Sequence, residues 1–457
     1  MFSYIAADIV HPPGIYVLLK LWIMLGGESL LWLKFFAVIP SVAVIVPLLL
    51  LCRELDFKLP ETNLALLLAG VNGYLVHYAQ ELRMYSLFLF LAMCSFWLFI
   101  RYTKSGERAT SRLVALTVIN LLTIFTHYYG WIVAGMELLF LLIWQRRRII
   151  DFGISMSVLA VSFAPWMVVV VQEAQAIGGL AQNLDWIPKP QLVSILDLYV
   201  TFNGPLGNRY IKLLGLALFG LPILIWVWRL FRSGFKTHKF ELVSLSWLAL
   251  LGFLPVFALF VVSQQMEQAV WMDRYFIFIA IPYMMLVAAA AYRLRPLWLR
   301  NLWVAAIVIM SALSGYHDWS TNRMAWESPQ LGSRLHWDDL VLQMTAVENR
   351  ESNPIEIYTL TVISNRYRTG DWALSTSIDY HLDMFGDDRF QTTFVRDMEA
   401  LLERPKGNHF WVAFFELSEW PQTSPAVILI ENGYRVGEEI SYRNGADRVV
   451  LLPVWRE

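Results

Sequence analysis

Five clusters of basic residues divide the first 300 positions, and between one cluster and the next lie two apolar runs close to membrane-spanning length. The clusters are Arg53 with Lys58; Arg101, Lys104, Arg108 and Arg112; Arg146, Arg147 and Arg148; Arg229, Arg232, Lys236 and Lys239; and Arg293, Arg295 and Arg300. Short loops rich in Lys and Arg stay on the cytoplasmic side of a membrane. All five share that side only if the chain leaves and returns each time. The expected spans are therefore 29–51, 62–79, 84–100, 112–128, 130–145, 150–171, 210–230, 241–263, 275–292 and 300–316. A span needs about 20 residues, so the short ones are expected to run past these limits. The totals agree: 57% of residues are hydrophobic and 16% charged, with mean hydropathy +0.50, whereas a soluble domain is roughly 25% charged. A net charge of -1 carries no electrostatic footprint for nucleic acid. Cys52 and Cys94 both fall in or beside apolar runs, so no disulfide is expected.

The run "GIYVLLKLWIMLGG" (14–27) is apolar but short, with Lys20 in its middle. A helix of that length covers about 21 Å, less than the ~30 Å hydrocarbon core, so it is expected to lie in the outer interface. By the same parity the chain begins outside, which points to a helix upstream of Met1. Beyond 316 the character changes. "WDDLVLQMTAVENR" (337–350) has helical periodicity, and 355–360, 409–417, 426–430 and 447–454 read as strands. The expected architecture is thus an α-helical polytopic membrane domain, 1–316, followed by a small extracytoplasmic α/β domain, 317–457.

Sorting the ionisable residues by side gives a second pattern. Asp8 and His11 precede the interfacial helix; Glu81 and Arg83 sit in "HYAQELRMYSL" (77–87) between two spans; His127 and Tyr128 lie in "THYYG" (126–130); Asp273 and Arg274 open the 275–292 run. The long loop 172–209 adds Glu173, Asp185, Trp186 and Arg209. All are expected outside, whereas the cytoplasmic turns carry mostly the basic residues that topology already explains. Each has an ordinary alternative. Arg83 can snorkel to lipid phosphates, His127 can be a packed interfacial histidine, Asp8 a surface charge, and Asp273 with Arg274 a plain ion pair. Their shared side favours an aromatic-rich outer cavity able to hold a phosphate and a polar substrate.

"ADIVHPPGIYVLLKLW" (7–22) resembles the HPP segment of bacterial glycosyltransferases related to the protein O-mannosyltransferase and aminoarabinose transferase families. "HYAQELRMYSLFLFLA" (77–92) resembles their QExRMYSL signature, and "FTHYYG" (125–130) and "DRYFIF" (273–278) are similar to their later motifs. The resemblance covers roughly residues 5–295. It implies a polytopic GT-C fold and transfer of a sugar from a polyprenyl-phosphate carrier to an extracytoplasmic acceptor. It implies that His11 and Arg274 contact the carrier phosphate, that Glu81 and Arg83 stand at the cavity edge, and that His127, Tyr128 and Asp273 line the same site. It implies no cofactor, and no His, Asp or Glu spacing here argues for a metal.

The chemistry of such a transfer suits these residue types. Negative charge builds on the leaving phosphate and calls for cationic donors, for which a guanidinium is well shaped. The acceptor hydroxyl calls for a carboxylate base, and direct inversion needs only one. In the family that acid lies in a first outer loop ahead of the HPP segment, and here only ten residues precede His11. Asp8 matches a flanking Asp instead. The expectation is a truncated chain, inactive as written unless Asp8 or Glu81 serves as the base. The competing classes are a lipid-linked sugar transporter, against which the lack of an internal repeat speaks, and a non-catalytic membrane scaffold that binds a partner.

Overall fold

The structure is a computed structural model describing residues 11–106, 110–176, 187–204, 209–233, 239–321, 337–348, 355–360, 378–379, 382, 387, 389–395, 398–404, 407–416, 424–444 and 447–456. The chain divides into two compact units, Met1–Trp326 and Glu327–Glu457.

The first unit is helical: α1 Gly14–Gly26, α2 Leu30–Ala43, α3 Ile45–Glu54, α4 Leu59–Val71, α5 Gly73–Tyr78, α6 Tyr85–Thr103, α7 Thr110–Thr126, α8 Gly130–Trp144, α9 Ile149–Ala176, α10 Leu192–Asn203, α11 Arg209–Ser233, α12 Lys239–Gln265, α13 Ile277–Tyr292 and α14 Leu297–Thr321. Among the described residues seven helical stretches are long and apolar enough to cross a membrane: Leu31–Glu54, Tyr85–Thr103, Arg146–Gln175, Arg209–Arg232, Ser244–Gln265, Asp273–Tyr292 and Leu297–Tyr316. They account for seven of the ten expected spans. The other three fall on the shorter helices α4, α7 and α8; of the runs expected to lengthen, 84–100 continues to Thr103, whereas 112–128 and 130–145 do not lengthen. In a bilayer every backbone polar group must be satisfied within the segment, and this is why long apolar runs become helices. The chain is an integral membrane protein.

One expected span is interrupted locally and another is broken, each for a local reason. The 29–51 stretch stays helical through Val44 (φ −53°, ψ −29°), but its ladder is interrupted between α2 and α3, where Pro47 lacks the N–H that would reach the Ala43 carbonyl. Proline cannot donate to the helix ladder and crowds the preceding turn. The 62–79 run divides at Asn72, which is extended (φ −73°, ψ 113°) and caps α5 by accepting from Leu75 N at 3.1 Å. Its Nδ2 donates to the Phe202 carbonyl at 2.8 Å. The segment expected as a continuous outer loop, 172–209, contains α10, whose buried face includes Ile195, Leu198, Tyr199 and Phe202. Asp185 and Trp186 of that loop lie outside the described residues.

At the centre stands α13, buried along nearly its whole length from Ile277 to Ala291. The largest apolar cluster surrounds it, drawing on α6 through Phe88, Phe96 and Phe99, and on α12 through Trp247 and Leu251. By contrast α1 leaves Val17, Leu18, Leu21, Met24 and Leu25 exposed, the face an interfacial helix turns to lipid. It is fixed to α2 by Trp22 and Trp32, whose rings stack at 4.2 Å. Each indole N–H donates to the other's carbonyl, at 2.8 and 2.9 Å. Cys52 and Cys94 are free thiols.

The second unit carries a six-stranded sheet among its described residues: β1 Ile355–Leu360, β2 Phe390–Val395, β3 His409–Glu416, β4 Tyr434–Val436, β5 Ile440–Asn444 and β6 Asp447–Arg456. The order is β2-β1-β3-β6-β4, with β5 also on β6. β1 pairs parallel with β2 and β3, and β6 pairs antiparallel with β3, β4 and β5. Side chains alternate between two cores, as the period of a strand requires. Ile357, Trp411 and Leu451 face one core with Leu340 and Met344 of helix α15 (Trp337–Val347). Tyr358, Val412 and Leu452 face the other with Leu401 and Leu429. The run "AVILI", expected as a strand, is instead helical, Pro425–Glu431. Proline at the first helical position favours that outcome.

Candidate functional site

The turn 127–129 shows how the sequence builds one end of the bundle. Thr126 Oγ1 bonds back to the Leu122 carbonyl at 2.7 Å and His127 N to the Thr123 carbonyl at 3.0 Å, closing α7. Gly130 N then reaches the His127 carbonyl at 2.8 Å and opens α8. Glycine is needed there, because a Cβ would stand 2.7 Å from Ile124 N. A second glycine brings the HPP segment in: a Cβ on Gly14 would stand 2.5 Å from the Phe125 carbonyl oxygen. The head of α1 thus packs backbone-to-backbone on the tail of α7, and His11 comes within electrostatic reach of His127.

His127 is buried and stacks on Phe88 at 4.8 Å, with Tyr129 and Tyr275 edge-on at 5.2 and 5.1 Å. Its Nδ1 accepts the Tyr129 backbone N–H at 3.1 Å, so in the neutral ring the proton sits on Nε2. Burial first, then the nearby His11 and Arg274 charges, depress its pKa to about 3. The unfolded chain, with an ordinary histidine pKa near 6.5, therefore binds more protons than the folded one between about pH 3 and 6.5. Stability from this group is full above 6.5 and is lost as pH falls through that window. The expected outcome is that His127→Leu flattens the fall of the thermal midpoint between pH 6.5 and 4 relative to wild type. An unchanged slope would show that His127 is not held neutral.

Arg274 approaches the same aromatic cluster from the short helix Asp273–Phe276 that leads into α13. Its guanidinium carbon lies 5.7 Å from the Tyr275 ring, its side chain hydrogen-bonds Tyr275, and it interacts electrostatically with Tyr85 and Tyr78. Two phenols hold this segment in place by its backbone. Tyr74 donates to the Asp273 carbonyl at 2.8 Å, and Tyr129 donates to the Val270 carbonyl. Tyr74, Tyr78 and Tyr85 pack edge-to-face in series, at 4.9 and 5.0 Å.

Glu81 sits in the 79–84 turn and pairs with His77 Nε2 at 3.1 Å. Partial burial would raise its carboxyl pKa, but the His77 hydrogen bond, with the charges of His77, Arg83 and Arg274, outweighs it and holds the group below the usual carboxylate range. Glu81 is therefore ionised at neutral pH. Arg83 is exposed at the rim. Asp273 is hydrogen-bonded by Trp271. Tyr128 turns away toward α9, accepting from Trp166 Nε1 at 3.0 Å and packing edge-on to Phe163 at 6.1 Å. Asp8 lies outside the described residues.

The structure therefore gathers His11, Glu81, His127 and Arg274 at one end of the bundle. The walls are residues to which the sequence alone assigned no role: Tyr74, His77, Tyr78, Tyr85, Phe88, Tyr129 and Tyr275. A signal was present, since Tyr74, His77, Tyr78 and Glu81 recur at i, i+3, i+4 and i+7, one helical face. The helices that begin here, α6, α8 and α13, run to the basic residues Arg101, Arg146 and Arg293, so the cluster and the basic turns occupy opposite ends. Among the described residues no three His, Cys, Asp or Glu side chains gather to hold a metal.

Two crystal structures of ArnT from Cupriavidus metallidurans superpose on nearly the whole chain. The form bound to undecaprenyl phosphate aligns with TM-score 0.56 at 12% identity, covering 97% of this chain and 88% of that one. The apo form aligns with TM-score 0.55 over the same shares, also at 12% identity. The fold is GT-C. The oligosaccharyltransferase of Archaeoglobus fulgidus aligns less well, with TM-score 0.46 at 15% identity over 86% of this chain and 57% of its own. No family model matches the chain, and neither does any curated protein. In this GT-C chain the cationic and aromatic cluster is built from α5, the N-terminal ends of α6, α8 and α13, and the C-terminal end of α7.

Proposed function

We propose that the protein is a membrane glycosyltransferase that moves a sugar from a polyprenyl-phosphate carrier to an acceptor outside the cytoplasm. The observation that carries this reading is Arg274, held among Tyr78, Tyr85 and Tyr275 at the end of the bundle opposite the basic turns. An aromatic-walled guanidinium at a membrane interface suits a phosphate on a lipid tail, through charge and paired N–H donors. ArnT, which shares the fold, has been crystallised with undecaprenyl phosphate. The positive-inside rule supports cytoplasmic basic turns, and with them a cluster on the far face of a bacterial inner membrane.

In the proposed reaction the acceptor hydroxyl oxygen attacks the anomeric carbon while the bond from that carbon to the carrier phosphate oxygen breaks. The electron pair leaves on the phosphate, where Arg274 and His11 meet the growing charge. The hydroxyl proton passes to a carboxylate, the role assigned to ionised Glu81. The products are an inverted glycoside and the free polyprenyl phosphate.

The direct test is binding and turnover of polyprenyl-phosphate sugars by the purified full-length chain in lipid nanodiscs. Saturable binding of undecaprenyl phosphate that excess phosphatidic acid does not displace is the expected result. A chain that binds both alike and consumes no polyprenyl-phosphate sugar refutes the proposal.

A further inference from the structure

Midway along the bundle three polar side chains meet in an otherwise apolar interior: Ser95 on α6, Asn120 on α7 and Glu137 on α8, each with no solvent exposure. Ser95 Oγ lies 2.6 Å from Asn120 Oδ1 and 2.6 Å from Glu137 Oε1, and Asn120 Nδ2 lies 2.7 Å from Glu137 Oε2. The three links close a ring, and a ring of hydrogen bonds needs one proton for each link.

Counting protons decides the charge of the acid. An ionised carboxylate only accepts, a hydroxyl has one proton to give, and a side-chain amide has donors on its nitrogen alone. If Glu137 were ionised, Ser95 would have to donate to Oε1 and the Asn120 nitrogen to Oε2. The Ser95–Asn120 link would then be two acceptor oxygens 2.6 Å apart with no proton between them. Rotating the amide does not help, because the amide oxygen would then meet a carboxylate oxygen. A neutral acid satisfies every link: Glu137 donates to Ser95, Ser95 donates to Asn120, and Asn120 donates to the other carboxyl oxygen. The same count works with the amide reversed and the ring running the other way.

We infer that Glu137 is a membrane-embedded proton site, held as a neutral carboxylic acid in a closed hydrogen-bond ring that clamps α6, α7 and α8 together. An ion in the bilayer interior is costly, whereas a fully satisfied polar ring is tolerated and specifies one packing. The ring lies about 15 Å along α6 from Tyr85, about 10 Å along α7 from His127 and about 12 Å along α8 from Tyr129. Glu137 is thus a positioning residue for the three helix ends that present the aromatic cluster. The proton assignment stands whether or not the proposed transfer activity does.

Infrared difference spectra of the purified chain at pH 7, wild type minus Glu137→Gln, are expected to show a neutral-carboxylic-acid carbonyl band that shifts in heavy water. Ser95→Ala removes one hydrogen bond from the carboxyl group, the acceptor of its proton or the donor to its carbonyl according to the direction of the ring, and should move the band to higher frequency without abolishing it. Glutamine carries an amide donor and an acceptor in the same places, so Glu137→Gln should keep the wild-type melting temperature. Glu137→Ala, which strands two buried polar groups, should lower it by several degrees. A wild type without a band that Glu137→Gln removes overturns the inference. So does a glutamine variant that melts with the alanine variant or fails to accumulate, because an ionised glutamate is what glutamine cannot replace.

Discussion

Replacing Arg274 with alanine is expected to lower sugar-transfer turnover about 100- to 1000-fold, the loss that follows removal of one charge-stabilising donor from a preorganised site. The side chain lies 5.7 Å from the Tyr275 ring and interacts electrostatically with Tyr85 and Tyr78, and its segment is anchored by the backbone bonds from Tyr74 and Tyr129. Those anchors do not depend on the guanidinium, so the fold should survive the substitution. Because charge on the phosphate grows as the glycosidic bond breaks, kcat should fall more than KM rises. Arg274→Lys keeps the charge and loses the planar fork, and should recover only part of the rate. Turnover of an undecaprenyl-phosphate sugar, with thermal melting as the control for folding, gives the measurement. Wild-type turnover in the alanine variant would remove Arg274 from the chemistry.

Gly130→Ala is expected to destabilise the membrane unit by about 1–3 kcal/mol, the usual cost of forcing an extra carbon into a packed interior. The new Cβ would meet Ile124 N and Thr123 C at 2.7 Å and Ile124 Cα at 2.8 Å. All three are backbone atoms, so no flexible side chain can yield and α7 and α8 must separate. His127 and Tyr129 lie in the turn that joins them, so binding of undecaprenyl phosphate should weaken as well. Gly135 is the control. It lies one and a half turns further along α8 with nothing within 4 Å of its added Cβ, and alanine there should gain the modest helix propensity that glycine lacks. Melting curves of the two variants decide the matter, and equal midpoints would show that the close approach at Gly130 is not tight.

Much of the membrane architecture is legible from composition and the placement of arginines, because a bilayer leaves the backbone few choices. The exceptions are places where one polar group outweighs a hydrophobic neighbourhood. Asn72 adds little to the hydropathy of 62–79, yet its side chain can satisfy both a helix N-terminus and a distant carbonyl. The α10 helix was hidden because its twelve residues are too few to span and sit in a stretch read as loop. In the second unit "AVILI" is too short for its period to separate strand from helix. The flanking residues held the answer: Ser424 and Pro425 start a helix, and Asn432 with Gly433 (φ 77°) ends it.

The site divides along similar lines. The ionisable members stood out because acids and histidines are unexpected beside apolar runs. The tyrosine walls did not, since tyrosine is common at any membrane interface. What separates Tyr129 and Tyr74 from ordinary interfacial tyrosines is the long-range carbonyls they grip, at Val270 and Asp273. No local pattern reveals a partner some 140 or 199 positions away. Tyr128 illustrates the opposite case: adjacent to His127 in the motif, it points into the packing with α9.

The bond from Asn72 to the Phe202 carbonyl also sets an order of assembly. While the chain is being inserted, the amide of Asn72 has entered the bilayer long before Phe202 has been synthesised. The half-helix Gly73–Tyr78, which carries Tyr74, His77 and Tyr78, must wait for α10 before that polar group is matched, and for Asp273 before Tyr74 is. A segment translated early is thus among the last to settle, and the aromatic cluster closes only when nearly all of the membrane unit has been made.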